Sequence, residues 1–289
     1  DLLIRESDLS QADKILLEAG YSRRGDVRRD RATKANVGFV SPPGDVIIEL
    51  HWHLVVPYSS LRIDMNDIWD NAVPTVVGGS EVMVLSVEDL LLYQCYHTAK
   101  HMFSYYGLRS LYDIIEIINY NRSPIDWETI MQRARRWNAV NSVYLAFQLA
   151  VELLHAPIDR DAIESIKPTR FDQSISDLAV EFIFSKGDKP PALIPENMGR
   201  LWNIRRVGEG ISLIFRRIFP PKREMEWMYK IPLNSPAIYL SYLYRVADLV
   251  YRHHRALLLL LRRDKRMKTY AKHLKKQLIL KDWLTLYNR

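Results

Sequence analysis

Three titratable side chains alternate along one short apolar segment of the sequence. Residues 46–54 read VIIELHWHL, and this β-branched and aromatic content predicts a strand. Because strand side chains alternate between two faces, we expect Glu49, His51 and His53 on one face and the apolar residues on the other. A carboxylate held beside imidazoles on a rigid strand would suit a divalent metal or phosphate chemistry. The alternative is a solvated sheet face with no chemical role.

A second group of titratable residues lies in the sequence HTAKH. His97 and His101 are four positions apart and share one face of a predicted helix, with Lys100 on a neighbouring stripe. The spacing is similar to that of zinc-binding helices, but Thr98 replaces the glutamate of zinc proteases, which argues against that class. Two histidines hydrogen-bonded inside a helical bundle are the alternative. Asp113, in an apolar helical stretch, fits either a catalytic carboxylate or a satisfied interior one.

The elements that would position these residues form two groups, and the first is rich in strands. A turn at Ser41–Gly44 joins two β-rich segments and predicts an antiparallel hairpin. The basic segment Arg23–Lys34 is interpreted as a loop. The patterns predict strands over 1–4, 36–40, 45–55, 73–77 and 82–84, and helices over 8–19 and 65–71. Together these elements predict an α+β module over residues 1–85.

The second group of elements is helical. Ser86 followed by Asp89 forms a capping-box pattern that opens a long helix. Proline and glycine clusters at 186–195 and 219–221 separate some of the later helices. The predicted helices cover 86–103, 108–120, 126–137, 140–155, 175–184, 201–218 and 235–261. The fold class is therefore α+β, with a larger all-helical domain over 86–289.

Composition limits the compartment and the class of protein. The 289 residues are 48% hydrophobic and 26% charged, which is typical of a globular protein. The single cysteine, Cys95, excludes an intramolecular disulfide and fits the reducing cytoplasm. The longest apolar run, residues 256–261, is far shorter than the roughly 20 residues that span a bilayer. Because the chain opens as a strand with no initiator Met, we expect its natural N-terminus to lie upstream.

The positive charge is concentrated near the C-terminus. Residues 245–289 contain 13 Lys and Arg against three Asp, while the whole chain carries a net charge of +7. Residues 265–281 have apolar side chains near helical spacing and a cationic opposite face. Such a helix could bind an anionic membrane surface, making the protein peripheral to the membrane, or a nucleic-acid backbone. The alternative is a solvated basic helix face without a partner.

Several of these sequences together resemble one known family. They are DLLI at residues 1–4, EAGY at 18–21, IELHW at 48–52, LLYQCYHTAKH at 91–101 and LRSLYDI at 108–114. The set is similar to the uncharacterised bacterial nucleotidyltransferase-like family of the DNA polymerase β superfamily. That superfamily carries Asp-x-Asp on a catalytic strand after a glycine turn, and a third acid on a nearby strand. By this resemblance Asp1 matches the second acid and Glu49 the third, and the glycine turn and first acid are expected upstream of Asp1.

The resemblance implies a partial polymerase-β-type sheet module and a Mg²⁺-dependent nucleotidyltransferase. It would move a nucleoside monophosphate from an NTP, with ATP as the expected donor, to an unknown acceptor. Asp1 and Glu49 would hold Mg²⁺ and Lys100 would bind phosphate oxygens. The substrate cleft would be lined by His51, His97, His101 and Asp113. Two alternatives remain: a metallohydrolase using His51, His53, His97 and His101, and a catalytically degenerate fold that binds partners through its basic tail.

Overall fold

A small mixed sheet near the N-terminus is followed by helices, which confirms the predicted α+β class. The structure is a computed structural model that describes residues 1–24, 34–42, 44–57, 59–121, 123–185, 219–220, 222–229, 231–232, 234–261 and 265–285. Asp1–Phe184 together with Asp282–Arg289 form one compact unit, and Ser185–Lys281 form a second. The first boundary between these two units therefore lies at Ser185. The division into a domain over residues 1–85 and a domain over residues 86–289 stays a prediction.

The sheet has four strands in the spatial order β1-β4-β3-β2. They are β1 (Leu2–Leu3), β2 (Ser22–Arg24), β3 (Asn36–Val40) and β4 (Ile47–His51). β3 and β4 form the predicted antiparallel hairpin, in the register Val40↔Ile47 to Asn36↔His51. β1 pairs with β4 in parallel, with Leu2 opposite Leu50 and Leu3 opposite His51. β4 is shorter than the predicted strand over 45–55.

The apolar face of the sheet packs against helix α1 (Leu9–Glu18), which follows a 3₁₀ turn at Glu6–Asp8. The buried cluster on this side contains Leu9, Val37, Phe39, Leu50 and Trp52. Glu49 and His51 flank Leu50 in the strand and are only partly buried. The alternation predicted from the sequence therefore holds where β4 is regular, and it separates a packed face from a polar one.

One strand lies where a loop was predicted. β2 occupies the start of the segment Arg23–Lys34 and pairs with β3, with Arg23 opposite Phe39. The Arg23 guanidinium also donates to the Asp13 carboxylate of α1. Strand pairing and this ion pair fix a segment whose charge alone suggested a loop. The rest of that predicted loop, residues 25–33, lies outside the described residues.

A second hairpin and a short helix complete the β-rich region. Helix α2 (Met65–Asp70) begins at Asp64, whose side chain accepts a hydrogen bond from the Asn66 backbone. β5 (Val73–Val77) and β6 (Ser80–Val84) pair antiparallel, separately from the four-stranded sheet. These elements confirm the predicted helix and the two small strands.

Six helices follow in the first unit. They are α3 (Val87–Lys100), α4 (Leu108–Tyr120), α5 (Trp127–Arg136), α6 (Val140–Leu154), α7 (Arg160–Ser165) and α8 (Gln173–Phe184). The Ser86 side chain accepts a hydrogen bond from the Asp89 backbone, which confirms the predicted start of α3. α3 ends at Lys100, before the predicted Phe103, because Met102 and Phe103 adopt left-handed backbone angles. α7 was not predicted.

A buried ion pair connects α3 to α5. Arg133 Nη1 lies 2.7 Å from Asp89 Oδ1, and the Asp89 side chain is only 1% exposed. Burial raises the pKa of Asp89, while the Arg133 guanidinium acts in the opposite direction. A second arginine of α5, Arg136, pairs with Asp67 at 2.9 Å on the surface. The two pairs have similar geometry and very different solvent exposure.

The described part of the second unit is helical. Its helices are α9 (Lys222–Tyr229), α10 (Ala237–Leu261) and α11 (Lys265–Thr285). α10 confirms the prediction over 235–261, α11 confirms a helix in the basic tail, and α9 was not predicted. The predicted helix over 201–218 and the proline and glycine cluster at 186–195 lie outside the described residues. Among the described helices, none combines the length and apolar character needed to cross a bilayer.

The end of α11 belongs to the first unit. Its Trp283 backbone carbonyl accepts a hydrogen bond of 2.6 Å from the Asn141 amide in α6. The Trp283 indole N–H donates to the Arg170 carbonyl, and its ring packs edge-on against Phe171. The last turn of α11 is therefore part of the packed core of the first unit.

Candidate functional site

Asp1, Glu49 and His51 lie together on the polar face of the sheet. Each contributes one ligand atom, and these three atoms all lie within 4.8 Å of one another. The parallel register explains the grouping, because Leu2 opposite Leu50 places Asp1 level with Glu49 on the neighbouring strand. His51 follows two positions later on the same face of β4. Among the described residues, this is the group of three His, Cys, Asp or Glu side chains that could hold a metal ion.

The Glu49 carboxylate is oriented by a residue that the sequence analysis missed. The Asn36 amide nitrogen donates a hydrogen bond of 3.0 Å to Glu49 Oε2. Asn36 is the first residue of β3 and pairs with His51, so it lies diagonally across from Glu49. Counting residues outward from the Ser41–Gly44 turn along both strands would have paired Asn36 with His51 and so placed it next to Glu49.

His51 is the most enclosed member of the group. Its Nε2 lies 3.5 Å from Glu49 Oε2 and 4.0 Å from Asp1 Oδ2. This atom is buried and makes no hydrogen bond within the described part of the chain. Burial lowers the pKa of His51, and the Glu49 carboxylate acts in the opposite direction. A buried nitrogen without a well-formed hydrogen bond is uncommon, and a ligand bound at this position would satisfy it.

The chemistry of these donors fits a divalent cation. Carboxylate oxygens are the ligands that Mg²⁺ prefers, and Asp1 and Glu49 each offer one within the group. The unpartnered His51 nitrogen could contact the ion, a water bound to it or a phosphate oxygen. The negative charges of the Asp1 and Glu49 carboxylates repel each other, and a bound cation would offset that repulsion.

The Glu49 charge also affects the pKa of Tyr93 in helix α3. Burial raises the pKa of the Tyr93 phenol, and the charges of Tyr96 and Glu49 raise it further. The Tyr93 ring centroid lies 6.0 Å from that of His97, one turn along α3. Within α3, the Tyr93 ring therefore lies next to the predicted histidine pair. Its position was not predicted, although its spacing of four from His97 was visible in the sequence.

His97 and His101 lie in a cluster of rings. Their ring centroids are 4.7 Å apart in an edge-to-face arrangement. Burial lowers the pKa of both, and the positive charge of Lys100 lowers each further. Lys100 itself is exposed at the last residue of α3. The histidines are thus favoured in their neutral form beside a surface cation.

Two other predicted residues make local contacts instead. His53 lies beyond the end of β4, and its Nδ1 accepts a 3.0 Å hydrogen bond from the Val55 backbone. The Asp113 carboxylate accepts a 3.4 Å hydrogen bond from the Gln94 amide of α3. His53 is outside the three-residue group, so the four-histidine set of the metallohydrolase alternative does not come together as a metal site among the described residues.

Comparison with known proteins identifies the family of this chain. A family model for an uncharacterised nucleotidyltransferase matches residues 1–155, which include the sheet, the candidate metal group and α3. No curated protein and no solved structure matches the chain. The match covers more than half of the sequence and contains every residue described in this site. The chain therefore belongs to this family of uncharacterised nucleotidyltransferases.

Proposed function

We propose that the protein is a Mg²⁺-dependent nucleotidyltransferase that moves a nucleoside monophosphate from an NTP, with ATP as the expected donor, to an acceptor hydroxyl. The observation that carries the proposal is the grouping of Asp1, Glu49 and His51 within 4.8 Å on one sheet face. The family membership supports the reaction class.

In the proposed reaction, an acceptor oxygen forms a bond to the α-phosphorus of the NTP. The bond from that phosphorus to the oxygen bridging to the β-phosphate breaks, pyrophosphate leaves, and the acceptor proton passes to solvent. Catalysis of this kind depends on positioning and on neutralising developing charge more than on covalent help from the protein. When bound, a divalent cation would supply that neutralisation.

Each predicted residue has a defined part in this proposal. Asp1 and Glu49 would hold the cation, and Asn36 would keep the Glu49 carboxylate oriented. His51 would contact the ligand through its buried Nε2. Lys100 would bind phosphate oxygens as a point charge from the end of α3. His97, His101 and Asp113 would shape the substrate cleft, with Asp113 acting through Gln94.

Calorimetric titration of Mg²⁺ and ATP into the full-length protein tests the proposal. We expect binding that requires Mg²⁺ and that Glu49→Gln weakens by about tenfold or more, since a lost ligand costs at least as much as a lost supporting contact. Glu81→Gln is the matched control, because Glu81 is an exposed glutamate on strand β6. Equal binding by the wild type and Glu49→Gln would rule out the proposed role of the site.

The basic helix α11 carries a separate proposal about partners. Lys272, Lys275 and Lys281 are exposed, while Leu280 is buried. We propose that this cationic face binds an anionic lipid surface. Lys272→Glu with Lys275→Glu should then reduce binding to vesicles containing phosphatidylserine, and this substitution keeps the packed Trp283. Unchanged vesicle binding, or a loss of nucleic-acid binding alone, would refute the lipid proposal.

A further inference from the structure

A cavity lies at the end of the four-stranded sheet, within the first unit of the chain. Its volume is about 280 Å³, and it is lined mostly by the segment over residues 52–63, together with Glu6 and Lys34. Cavities that bind small molecules usually measure about 300–1,000 Å³, so this one suits a small ligand. Among the described residues that line it, none belongs to the candidate metal group.

Backbone pairing brings the parts of this cavity together. The Trp52 amide donates to the Ala35 carbonyl at 3.0 Å, which extends the pairing of β3 with β4 and sets the preceding Lys34 at the end of β4. The Ile4 amide donates to a carbonyl of β4 at 2.9 Å, so the chain that leaves β1 leads to Glu6 at the same end. A lysine and a glutamate therefore enter the cavity from the two strands that flank β4.

The segment that closes the cavity is held by the connection between α5 and α6. The Arg62 backbone amide donates to the Trp137 carbonyl at 2.9 Å, and the Asn138 side-chain amide donates to the Ser60 carbonyl at 3.1 Å. Trp137 is itself buried. Because these hydrogen bonds fix the segment, the cavity is formed before a ligand binds, which lowers the cost of ordering the site.

The lining combines an apolar base with a charged rim. The buried apolar side chains of the base are Trp52, Val55, Leu61 and Ile63. The exposed charged side chains, which we call the rim charges, are Glu6, Lys34 and Arg62. All three rim charges take part in interactions within the described structure, so a charged ligand would join an existing network of charges.

The rim charges match a ligand that carries both signs of charge. Lysine and arginine bind a carboxylate through charge-assisted hydrogen bonds, and a glutamate binds an ammonium group in the same way. A simple organic anion would satisfy Lys34 and Arg62 but would place its negative charge beside Glu6, and such like-charge contacts are unfavourable. The apolar base would accept an uncharged side chain of the ligand.

We propose that this cavity binds an α-amino acid with an apolar side chain. Arg62 and Lys34 would hold its carboxylate, Glu6 would hold its ammonium group, and its side chain would pack on the apolar base. This binding site is additional to the proposed nucleotidyltransferase reaction and does not depend on it.

Four ligands test which parts of an amino acid the cavity recognises. L-Leucine has all three parts, 4-methylpentanoate lacks the ammonium group, 3-methylbutylamine lacks the carboxylate, and glycine lacks the apolar side chain. Each is titrated into the full-length protein and followed by NMR of the tryptophan indole N–H signals, because Trp52 lies at the base. We expect L-leucine to bind and the other three to bind about tenfold more weakly, since each leaves one group of the cavity without its partner.

Two variants assign the charged groups to their parts of the ligand. Arg62→Gln should weaken L-leucine by about tenfold and leave 3-methylbutylamine unchanged, because the amine has no carboxylate. Glu6→Gln should weaken L-leucine by a similar factor and should not weaken 4-methylpentanoate, which has no ammonium group. Both residues are exposed, so we expect both variants to fold, and thermal unfolding followed by circular dichroism checks this.

Two matched controls change the same residue types outside the cavity. Arg109→Gln alters an exposed arginine of α4, and Glu81→Gln alters an exposed glutamate of β6. Neither should change the affinity for L-leucine. Failure of L-leucine to bind, equal binding of L-leucine and 4-methylpentanoate, or unchanged affinity in both Arg62→Gln and Glu6→Gln would each refute the amino-acid site. Any of these results would leave the nucleotidyltransferase proposal standing, because that proposal is tested by Glu49→Gln with Mg²⁺ and ATP.

Discussion

The Asn36 amide donates a 3.0 Å hydrogen bond to Glu49 Oε2, across the two strands that form the hairpin. The contact fixes the rotation of a carboxylate that would otherwise be free to turn on a half-buried side chain. Hydrogen bonds of this kind to a metal ligand hold it in place before the cation arrives. Asn36 is thus a positioning residue for the proposed metal site.

Asn36→Ala should weaken Mg²⁺ binding by about tenfold, the usual effect of losing a contact that supports a metal ligand. Glu49 itself is kept, so affinity should fall without being abolished. Calorimetric titration of Mg²⁺ measures the change. Asn119→Ala, at an exposed asparagine of α4, serves as the control. An Asn36→Ala protein with wild-type affinity would show that Glu49 needs no support from β3.

Removing Arg133 should destabilise the first unit strongly. Arg133→Met leaves the Asp89 carboxylate buried without its cation, which typically costs about 3 kcal/mol of unfolding free energy or more. Urea unfolding followed by circular dichroism measures the difference. Arg136→Met is a control on the same helix, because its pair with Asp67 is exposed and such pairs contribute about 1 kcal/mol at most. If both variants lost a similar amount of unfolding free energy, burial would not determine how much the Arg133–Asp89 pair contributes to stability.

The histidine pair predicts a stability that falls in mild acid. Burial and Lys100 hold the folded-state pKa values of His97 and His101 below the ordinary 6.5. Between those lower values and 6.5 the unfolded chain binds more protons than the folded chain. The free energy of unfolding should therefore increase as the pH rises through this window and decrease as the pH falls through it. Urea titrations at a series of pH values measure the slope.

Lys100 offers a direct test of that pH dependence. Lys100→Met removes the charge that lowers both imidazole pKa values, so NMR titration should show both moving upward and the stability slope becoming shallower. Lys14→Met is the control, since Lys14 is an exposed lysine of α1 paired with Glu18. Unmoved titration midpoints in Lys100→Met would mean that burial, together with the effect of the His97 charge on His101, sets the two pKa values.

Gly107 should resist substitution for two separate reasons. It begins α4 with φ 56° and ψ −134°, a region that side chains disfavour. A Cβ there would also lie 3.2 Å from the Ile183 carbonyl oxygen. Gly107→Ala should cost about 2 kcal/mol or more of unfolding free energy. Gly78→Ala shares the positive φ but has no atom within 4 Å of the added Cβ, so it should cost less in the same urea assay; equal costs would exclude an effect of the Ile183 contact.

The predictable parts of the fold are those set by local pattern. The alternation of Glu49, Leu50 and His51 gave the correct faces of β4 because a strand has a period of two. The turn at Ser41–Gly44 gave the hairpin, and Ser86 gave the start of α3. The same pattern extended wrongly to His53, because the strand ends at His51 and the next residues turn away to other contacts.

The parts that could not be predicted depend on contacts between distant segments. β2 is held by pairing with β3 and by Asp13, and nothing in its own sequence favours a strand. Met102 and Phe103 end α3 in a conformation that usually needs glycine, because Phe103 is buried elsewhere in the unit. Tyr105 and Tyr106 meet His101 and His97 only after the segment beyond α3 folds back along that helix. Such effects of tertiary packing override local preference.

The parallel pairing of β1 with β4 has a consequence for folding. Two strands so far apart in the chain must close a long loop before they gain any contact, whereas β3 and β4 close a short turn. β1 should therefore join the sheet last and open first. A cation bound by both Asp1 and Glu49 would hold β1 against β4. The resulting gain in stability would increase with the logarithm of the cation concentration. The Ile4 amide, which donates to the His51 carbonyl at 2.9 Å, should then exchange with deuterium more slowly when Mg²⁺ is added.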